Sequence, residues 1–291
     1  MDKSGYLVVG GDSLVGGHVV RALKDGGATV FETTRRRDTV SDERVFLDFE
    51  TPEDFSVPAS VGTALVIAAA TNYDFCESDP MARVINVERV PRTVAALLER
   101  GLHVLFVSTN SVFGGERPWP AEEDPHAPGI AYAQQKSEGE DAILAAAARL
   151  GAQDRLAITR LTKILTADTS PLPSWIKALQ AGQPIEPFED LIFAPMSAVF
   201  VGQALADLAR QRVSGSLHLS GAENVSYVAF AQAVADKLGA DQNLLHPTTA
   251  TAKGVHIAFK PTYSGLGMSR TTVVSGLTPQ PLDDVLRHLF D

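Results

Sequence analysis

Short apolar runs rich in β-branched residues alternate along the chain with stretches of helical periodicity. The runs read YLVV, ATVFETT, VFLDF, ALVIAAA, HVLFVST and RLAITRL, and apolar side chains recur along one helical face directly after the first run. Such an alternation is typical of a parallel sheet that is covered by helices on both faces. The sequence therefore predicts an α/β fold built on a doubly wound parallel sheet.

The pattern changes after Thr166, where prolines become frequent. The stretches DTSPLPSW and GQPIEPFEDLIFAPMS flank a predicted short helix over 175–181, and Ser197 and Ser226 are predicted to cap two later helices on either side of the strand-like SLHLSG. A chain of 291 residues is near the length at which a single core divides. We expect a smaller, mixed C-terminal lobe over 166–196 and 222–291, beside a sheet domain over 1–165 and 197–221.

Charge and composition exclude several classes of partner. The formal net charge of −10 opposes broad attraction to nucleic acid or to an anionic membrane surface. The apolar run ALVIAAA has seven residues, far below the ~20 that span a bilayer. Cys76 is the only cysteine, the seven histidines lack ligand spacing, and the opening MDKSGYLVVGG does not have the pattern of a signal peptide. We expect no nucleic acid, no membrane and no metal, and a cytoplasmic location.

The stretch LVVGGDSLVGGHVVRAL, residues 7–23, places a glycine turn between a predicted strand and a predicted helix. In that context, backbone N–H groups at a helix N-terminus bind the pyrophosphate of a dinucleotide. Gly10 would form the tight turn and Gly16 would let the helix pack on the strand, while Ser13 stands where the backbone nears the phosphates. The serine adds a donor that could reach a phosphate oxygen, so it need not abolish binding. An ordinary strand-to-helix turn is the alternative.

The end of the second predicted strand, ETTRRR, indicates which dinucleotide such a turn would hold. In sites that prefer NAD, an acidic residue at this strand end accepts from the ribose hydroxyls, and Glu32 is the candidate. The Thr33 to Arg37 run beyond it instead favours a 2′-phosphate, with Arg35 as the first choice and Arg36 as the second. We expect NADP(H) as the preferred cofactor and NAD(H) as the alternative. Any one of these arginines alone would also suit a solvated loop.

The segment AYAQQK places Tyr132 and Lys136 four residues apart, on the same face of a predicted helix. A lysine ammonium near a phenol is expected to lower the phenol pKa from ~10 toward the range where tyrosine exchanges a proton. By itself this spacing also occurs on solvated helix faces. The strand HVLFVST adds Ser108 and Thr109 at the carboxyl edge of the predicted sheet, where hydroxyls can hold a carbonyl oxygen. Along the chain, the glycine turn comes first, then the hydroxyls at the strand end, then the tyrosine–lysine pair. This is the order in which a hydride-transfer site would be assembled.

Six further segments carry a family resemblance: LDFETPEDF, AAATNYDFCESDP, FVSTNSVFGG, GIAYAQQKSEGE, LAITRLTKIL and GSLHLSG. With the glycine turn they make the chain resemble the extended short-chain dehydrogenase/reductases. Within that group it is similar to the dTDP-4-dehydrorhamnose reductases and related sugar-nucleotide-binding proteins, over nearly its whole length. The resemblance implies that a Rossmann-like domain over 1–165 and 197–221 binds NADP and that the lobe over 166–196 and 222–291 binds the substrate.

The resemblance also implies roles for individual residues. Thr109, Tyr132 and Lys136 correspond to the family's catalytic trio. Asn110 and Ser111 stand where the family motif has Asp and Tyr, and Lys163 stands where the family has a substrate-facing Trp, so these three are expected to bind the substrate. The residues expected around the cofactor are Gly10, Asp12, Ser13, Leu14, Val15, Gly16, Thr33, Arg35, Arg36, Asp48, Phe49, Ala68, Ala69, Ala70 and Lys136.

The chain is accordingly predicted to be an NADP-preferring reductase of a keto group on a nucleotide-linked or similarly activated sugar. Analogy with the family implies a homodimer. A sugar-nucleotide epimerase of the same superfamily is one alternative, and it would recycle its cofactor rather than consume NADPH. A dehydratase is disfavoured because Asn110 and Ser111 cannot supply the acid that it needs. A non-catalytic NADP-binding regulatory subunit is the other alternative, and the intact trio argues against it.

Overall fold

The computed structural model describes residues 3–51 and 56–291, so the last four residues of LDFETPEDF, 52–55, lie outside the described residues. In chain order the described strands are β1 (Gly5–Val9), β2 (Val30–Thr34), β3 (Arg44–Phe46), β4 (Val61–Val66), β5 (His103–Thr109), β6 (Leu156–Leu161), β7 (Lys163–Leu165), β8 (Ile192–Phe193), β9 (Pro195–Ser197), β10 (Gly215–Leu219) and β11 (Val225–Ser226). Seven of them form one parallel sheet in the order β10-β6-β5-β4-β1-β2-β3. The predicted fold class is confirmed.

The strand order reverses between β1 and β4, because the chain leaves β3 at one edge of the sheet and returns on the other side of β1. In open parallel sheets a ligand-binding crevice forms at the carboxyl ends of the strands beside such a switch point. The ends of β1, β4, β5 and β6 therefore meet at one edge. They carry Gly10, Ala68, Thr109 and Thr162, which are far apart in the sequence.

Helices cover both faces of the sheet. In chain order they are α1 (Leu14–Asp25), α2 (Tyr73–Ser78), α3 (Pro80–Arg83), α4 (Val90–Glu99), α5 (Ala131–Leu150), α6 (Leu172–Gln180), α7 (Ala198–Gln211), α8 (Tyr227–Leu238), α9 (Ser269–Ser275) and α10 (Leu282–Phe290). α1 and α7 pack on one face, around Leu105 and Leu217, and α4 and α5 pack on the other, around Phe106. In the part of the chain that the structure describes, no helix is both long and apolar enough to cross a bilayer.

The helical segment before β5 contains one wide turn. Its backbone is helical from Pro80 to Glu99, with a π-helical turn over Val84–Arg89 that ends two residues before Pro91. Pro91 has no N–H, and its ring would collide with the carbonyl four residues earlier in an α-helix, so a wider turn keeps the helix continuous. The π turn carries Asn86, which is buried.

The C-terminal lobe has a core of its own, in which Trp175 and Phe230 pack together from α6 and α8. Ser197 and Ser226 cap α7 and α8, as the sequence predicts. The parallel pair β7–β9 lies where the chain passes from β6 into the lobe and from the lobe into α7. Met268 packs with the core of the sheet domain. The domain boundaries inferred from the sequence stay a prediction.

A buried ion pair joins the sheet to α5. Arg160 of β6 donates to both carboxylate oxygens of Glu140, at 2.7 Å in the shortest contact, and the two side chains are 4% and 0% exposed. Arg160 Nη1 also donates to His218 Nε2 at 3.2 Å, and His218 Nδ1 donates to the Gly267 carbonyl at 2.8 Å. Burial lowers the pKa of His218 to about 4, so the neutral ring can accept from the guanidinium. The network connects β6, β10, α5 and the segment before α9.

Removing the Glu140 carboxylate should destabilise the fold strongly. Glu140→Ala leaves the Arg160 guanidinium buried without its partner, and we expect the free energy of unfolding to fall by about 3–5 kcal/mol. Glu138→Ala, on the same helix, breaks only the exposed pair with Arg83 and should change it by less than about 1 kcal/mol. Urea unfolding at neutral pH measures both. Equal effects of the two substitutions would contradict this role of the buried pair.

Candidate active site

A cavity of about 820 Å³, the inner cavity, opens at the carboxyl edge of the sheet beside the strand switch. Its wall includes the turn after β1, the ends of β2, β4, β5 and β6, and the first turns of α5. Most of the predicted cofactor residues lie in this wall: Gly10, Asp12, Ser13, Leu14, Val15, Thr33, Arg35, Asp48, Phe49, Ala68, Ala69, Ala70 and Lys136. Gly16 and Arg36 are not part of it.

The glycine turn leaves no room for side chains at two positions. Gly10 has a φ of +98°, and a Cβ on it would lie 2.9 Å from the Ala68 amide nitrogen. A Cβ on Gly16 would lie 2.0 Å from the Gly10 carbonyl oxygen, so Gly16 packs beneath the turn rather than facing the cavity. The Gly10 N–H donates to the Thr33 hydroxyl at 2.9 Å, which ties the turn to the end of β2. The backbone of three strand ends is thereby held close together.

Ser13 is the N-cap of α1. Its hydroxyl accepts from the Gly16 N–H at 3.0 Å and donates to the Gly10 carbonyl at 2.7 Å. The sequence suggested that this hydroxyl could donate to a phosphate, and the structure instead shows it bonded within the turn. Capping of this kind stabilises a helix start, so the serine supports the turn in which it replaces a glycine. Leu14 and Val15, the first residues of α1, line the cavity beside it.

Asp12 binds only one of the two arginines that the sequence analysis assigns to the cofactor, Arg36, and this distinguishes Arg36 from Arg35. Its carboxylate accepts from the Thr34 hydroxyl at 2.6 Å, from Arg36 at 2.8 Å and from Arg44. Although burial raises the pKa of Asp12, the hydrogen bonds from Thr34 and Arg36 hold it below its usual value. Arg36 is thus bound to the protein, whereas Arg35 lines the cavity with its side chain 71% exposed.

Asn86, which the sequence analysis did not single out, holds one wall of the inner cavity. Its carboxamide accepts from the Ala70 N–H and donates to the Ala70 carbonyl, both at 2.9 Å. It also donates to the Gln135 carboxamide oxygen at 3.0 Å, and Gln135 donates to the Cys76 carbonyl at 2.9 Å. The loop after β4, the π turn, α2 and α5 are connected by this buried chain. A polar residue on the buried face of a helix, shortly before a proline, was the available signal.

The predicted catalytic trio comes together where β5 ends and α5 begins. Thr109 is the last residue of β5, and Tyr132 and Lys136 lie one turn apart on α5. The Lys136 ammonium donates to the Val107 carbonyl at 2.9 Å and lies 4.1 Å from the centre of the Phe106 ring. All three residues line the inner cavity.

Burial acts in opposite directions on the two titratable groups of the trio. It lowers the pKa of Lys136 to about 8, with the nearby Glu140 opposing the shift. It raises the pKa of Tyr132 above its ordinary value, Tyr73 raises it further, and the Thr109 side chain acts against the rise. The expected lowering of the tyrosine pKa by Lys136 is therefore wrong for this structure, because the ammonium is directed to a backbone carbonyl and burial dominates.

A second cavity of about 790 Å³, the outer cavity, shares Thr109 and Tyr132 with the first. It lies between the sheet edge and the C-terminal lobe, and its wall includes Asn110 and Lys163, two of the residues that the resemblance implies for the substrate. The lobe contributes positions that no motif in the sequence indicated: Leu191, Ile192, Phe193, Tyr227, His256, Ile257, Ala258, Phe259, Pro261 and Ser264. Within residues 3–51 and 56–291, no three His, Cys, Asp or Glu side chains form a metal-ligand group.

The expectation that Ser111 faces the substrate is corrected by the structure. Ser111 lies in the 3₁₀ turn after β5, is 1% exposed and is in the wall of neither cavity. Its N–H donates to the Thr109 hydroxyl at 3.2 Å, and the two hydroxyls are 3.1 Å apart. The tight turn directs Ser111 behind Thr109. Asn110 faces the outer cavity and donates to the Ser264 carbonyl at 2.9 Å.

Comparison with known proteins adds independent findings. The family described as RmlD substrate binding domain matches residues 5–291. The probable low-salt glycan biosynthesis reductase Agl14 of Haloferax volcanii is 29% identical over 97% of this chain and 96% of its own length. The dTDP-4-dehydrorhamnose reductase of Mycobacterium tuberculosis is 31% identical over 76% of this chain and 71% of its own. A solved Bacillus anthracis dTDP-4-dehydrorhamnose reductase in complex with NADP shares the fold, with TM-score 0.77, 19% identity and coverage of 100% and 98%.

The pKa of the Lys136 ammonium should lie well below that of an unperturbed lysine. We expect NMR of lysine-labelled protein to give a midpoint of about 8, against ~10.4 for an unperturbed lysine. Because the unfolded chain then binds more protons than the native one, the free energy of unfolding should rise as the pH increases from about 8 to about 10. A midpoint near that of exposed lysines would contradict the assigned environment.

The Lys136→Met variant serves as the control for this titration. It identifies the Lys136 signal by its loss, and it should remove this part of the pH dependence of unfolding. Lys177→Met, a substitution on the exposed face of α6, should leave the Lys136 signal in place.

Proposed function

The chain belongs to the RmlD substrate binding domain family, and on that basis we propose that it is an NAD(P)-dependent oxidoreductase that reduces a keto group on a nucleotide-linked sugar. The observation that carries this proposal is the meeting of the inner and outer cavities at Thr109 and Tyr132. A dinucleotide in one cavity and a sugar in the other would have these two residues in common. Relatives named as dTDP-4-dehydrorhamnose reductase and as a glycan biosynthesis reductase support the reaction class.

The inner cavity fits NADP(H) on observations of its own. Its volume lies within the range of ~300–1,000 Å³ that cofactor sites occupy. The turn at Gly10 is so close to Ala68 that it leaves no room for a Cβ. The Ser108 hydroxyl lines the cavity and is buried, and it has no hydrogen-bond partner among the described residues. The start of α1 would hold the pyrophosphate, Asp48 and Phe49 would border the adenine, and Ala68 to Ala70 would line the path to the nicotinamide. When bound, NADPH supplies the hydride.

The arginines after β2 support a preference for NADP(H), with NAD(H) as the alternative. Arg35 stands in the cavity wall, and among the described residues its one ion pair is a 3.7 Å contact with Glu50, so its guanidinium can turn to a 2′-phosphate. Arg36 would first have to leave Asp12. We therefore assign the 2′-phosphate to Arg35, with Arg36 second. The related B. anthracis structure contains NADP.

We assign the acid role to Tyr132. Its raised pKa keeps the phenol protonated through neutral pH, and the alkoxide oxygen formed from the keto group is a stronger base than phenolate, so the phenolic proton passes to that oxygen. Thr109 would donate a hydrogen bond to the same oxygen, since it borders both cavities. Lys136, held by Val107, would bind the nicotinamide ribose. A regulatory subunit has no chemical need for these three groups in the wall of one cavity.

The assembly state and the location of the protein are further proposals. We infer a homodimer by analogy with the family and a cytoplasmic location from the sequence pattern. Sedimentation at micromolar concentration tests the first, and fractionation of the source cells tests the second.

Loss of the phenolic hydroxyl should stop turnover and spare the cofactor site. Tyr132→Phe is expected to lower kcat by about 100-fold or more, the usual contribution of a positioned acid, while the NADPH Kd stays within about 2-fold. Steady-state kinetics and calorimetry measure the two quantities. Tyr6→Phe, in β1 and outside both cavity walls, is the matched control and should leave kcat unchanged. Near-full activity of Tyr132→Phe would overturn the assignment of the acid.

The cofactor preference should depend on Arg35 more than on Arg36. Arg35→Ala is expected to weaken NADPH binding by about 10-fold or more, the effect of losing a charge-assisted hydrogen bond, and to leave NADH binding unchanged. Arg36→Ala should weaken NADPH binding less, because that side chain is held by Asp12. Calorimetric titration of each variant with both cofactors decides the point. A loss of the same size for NADPH and NADH would contradict a contact with the 2′-phosphate.

A further inference from the structure

We propose that Lys163 binds an anionic oxygen group of the substrate, and this inference rests on the proposed function. The shared chemistry is that of a phosphate or carboxylate oxygen facing an ammonium group. A nucleotide-linked sugar offers two sources, the diphosphate that joins sugar to nucleoside and a carboxylate on the sugar itself.

Lys163 is held close to the reacting end of the outer cavity by the sheet. In the pairing of β5 with β6, Leu161 lies opposite Thr109, and Lys163 follows two residues later. A strand advances ~3.3 Å per residue, so the Lys163 backbone lies about 7 Å along the chain from the residue that pairs with Thr109. Thr162 donates its N–H to the Leu219 carbonyl at 3.2 Å, and Lys163 opens β7 opposite Pro195 of β9. A side chain that starts from such a fixed backbone can serve recognition.

The Lys163 ammonium has no partner among the described residues. It is exposed, it lines the outer cavity, and it forms no hydrogen bond or ion pair within residues 3–51 and 56–291. Other lysines of the same lobe do find carboxylates: Lys253 lies 2.6 Å from Glu186, and Lys260 lies 2.6 Å from Asp190.

The residues around Lys163 in the outer cavity do not pair with its ammonium group, so a ligand can do so. Asp74 and His256 are the other residues of charged type or with an imidazole in the wall, and the phenols there are Tyr73, Tyr132 and Tyr227. Among the described residues, the Asp74 side chain forms no ion pair with Lys163. Much of the remaining wall is apolar or aromatic, including Phe193 and Phe259. Aromatic rings suit the faces of a sugar or a base, whereas the ammonium suits an anionic oxygen. A nucleotide-linked sugar combines both kinds of surface.

The test is calorimetric binding of three probes, UDP-glucose, dTDP-glucose and UDP-glucuronic acid, to the full chain saturated with NADP⁺. We compare the wild type with Lys163→Gln, Lys163→Arg and the control Lys177→Gln, which makes the same charge change on an exposed face of the same lobe. Loss of a charge-assisted hydrogen bond weakens binding by about 10- to 100-fold. Lys163→Arg should retain most of the affinity, because it keeps the charge.

The outcomes separate the two sources of the anion. If Lys163 binds the diphosphate, Lys163→Gln weakens every probe that the wild type binds by the same factor. If it binds a sugar carboxylate, only UDP-glucuronic acid is weakened. Unchanged affinity for all probes, or an equal loss in Lys177→Gln, overturns the role of Lys163 and leaves the proposed function standing. Wild-type protein that binds NADP⁺ but none of the three probes overturns the role of Lys163 together with the sugar-nucleotide substrate.

Discussion

The close backbone approach at the turn after β1 is the constraint on which the rest of the site depends. Gly10 lies against Ala68, Gly16 packs under the Gly10 carbonyl, and the Ser13 hydroxyl bonds to both glycines. These contacts bring α1 to the strand switch and place its first turn in the wall of the inner cavity. With a serine in place of a glycine, the turn is still closed, because the Ser13 side chain is the N-cap of α1.

Burial governs the chemistry available at the other end of the cavity. Desolvation raises the pKa of Tyr132, which keeps the phenol protonated, and it lowers the pKa of Lys136 toward neutral pH. Glu140 lies one turn beyond Lys136 and opposes that shift, while Arg160 binds its carboxylate within the sheet domain. The electrostatics of the trio are thus coupled to the ion pair that joins the sheet to α5.

Local signals in the sequence were sufficient to predict the fold class and the main strands and helices of the sheet domain. Apolar runs located β1 to β6, Ser197 and Ser226 marked two helix starts, and the spacing of Tyr132 and Lys136 placed both on one face of α5. The missing parts depend on the geometry of one turn and on contacts between distant segments. Ser111 comes two residues after Thr109 but is turned behind it. Asn86 meets Ala70 only in the folded chain, and the lobe residues of the outer cavity follow no periodic pattern.

In the proposed reaction, hydride passes from NADPH to a keto carbon of a nucleotide-linked sugar. The most direct test supplies the protein with NADPH deuterated at the transferred position and a panel of nucleotide-linked keto sugars, and follows both cofactor and sugar. Reduction should consume one NADPH for each sugar converted and leave deuterium on the carbon that bore the keto oxygen. Sugar inversion without net loss of NADPH, or no conversion of any keto sugar by folded protein that binds NADPH, would contradict it.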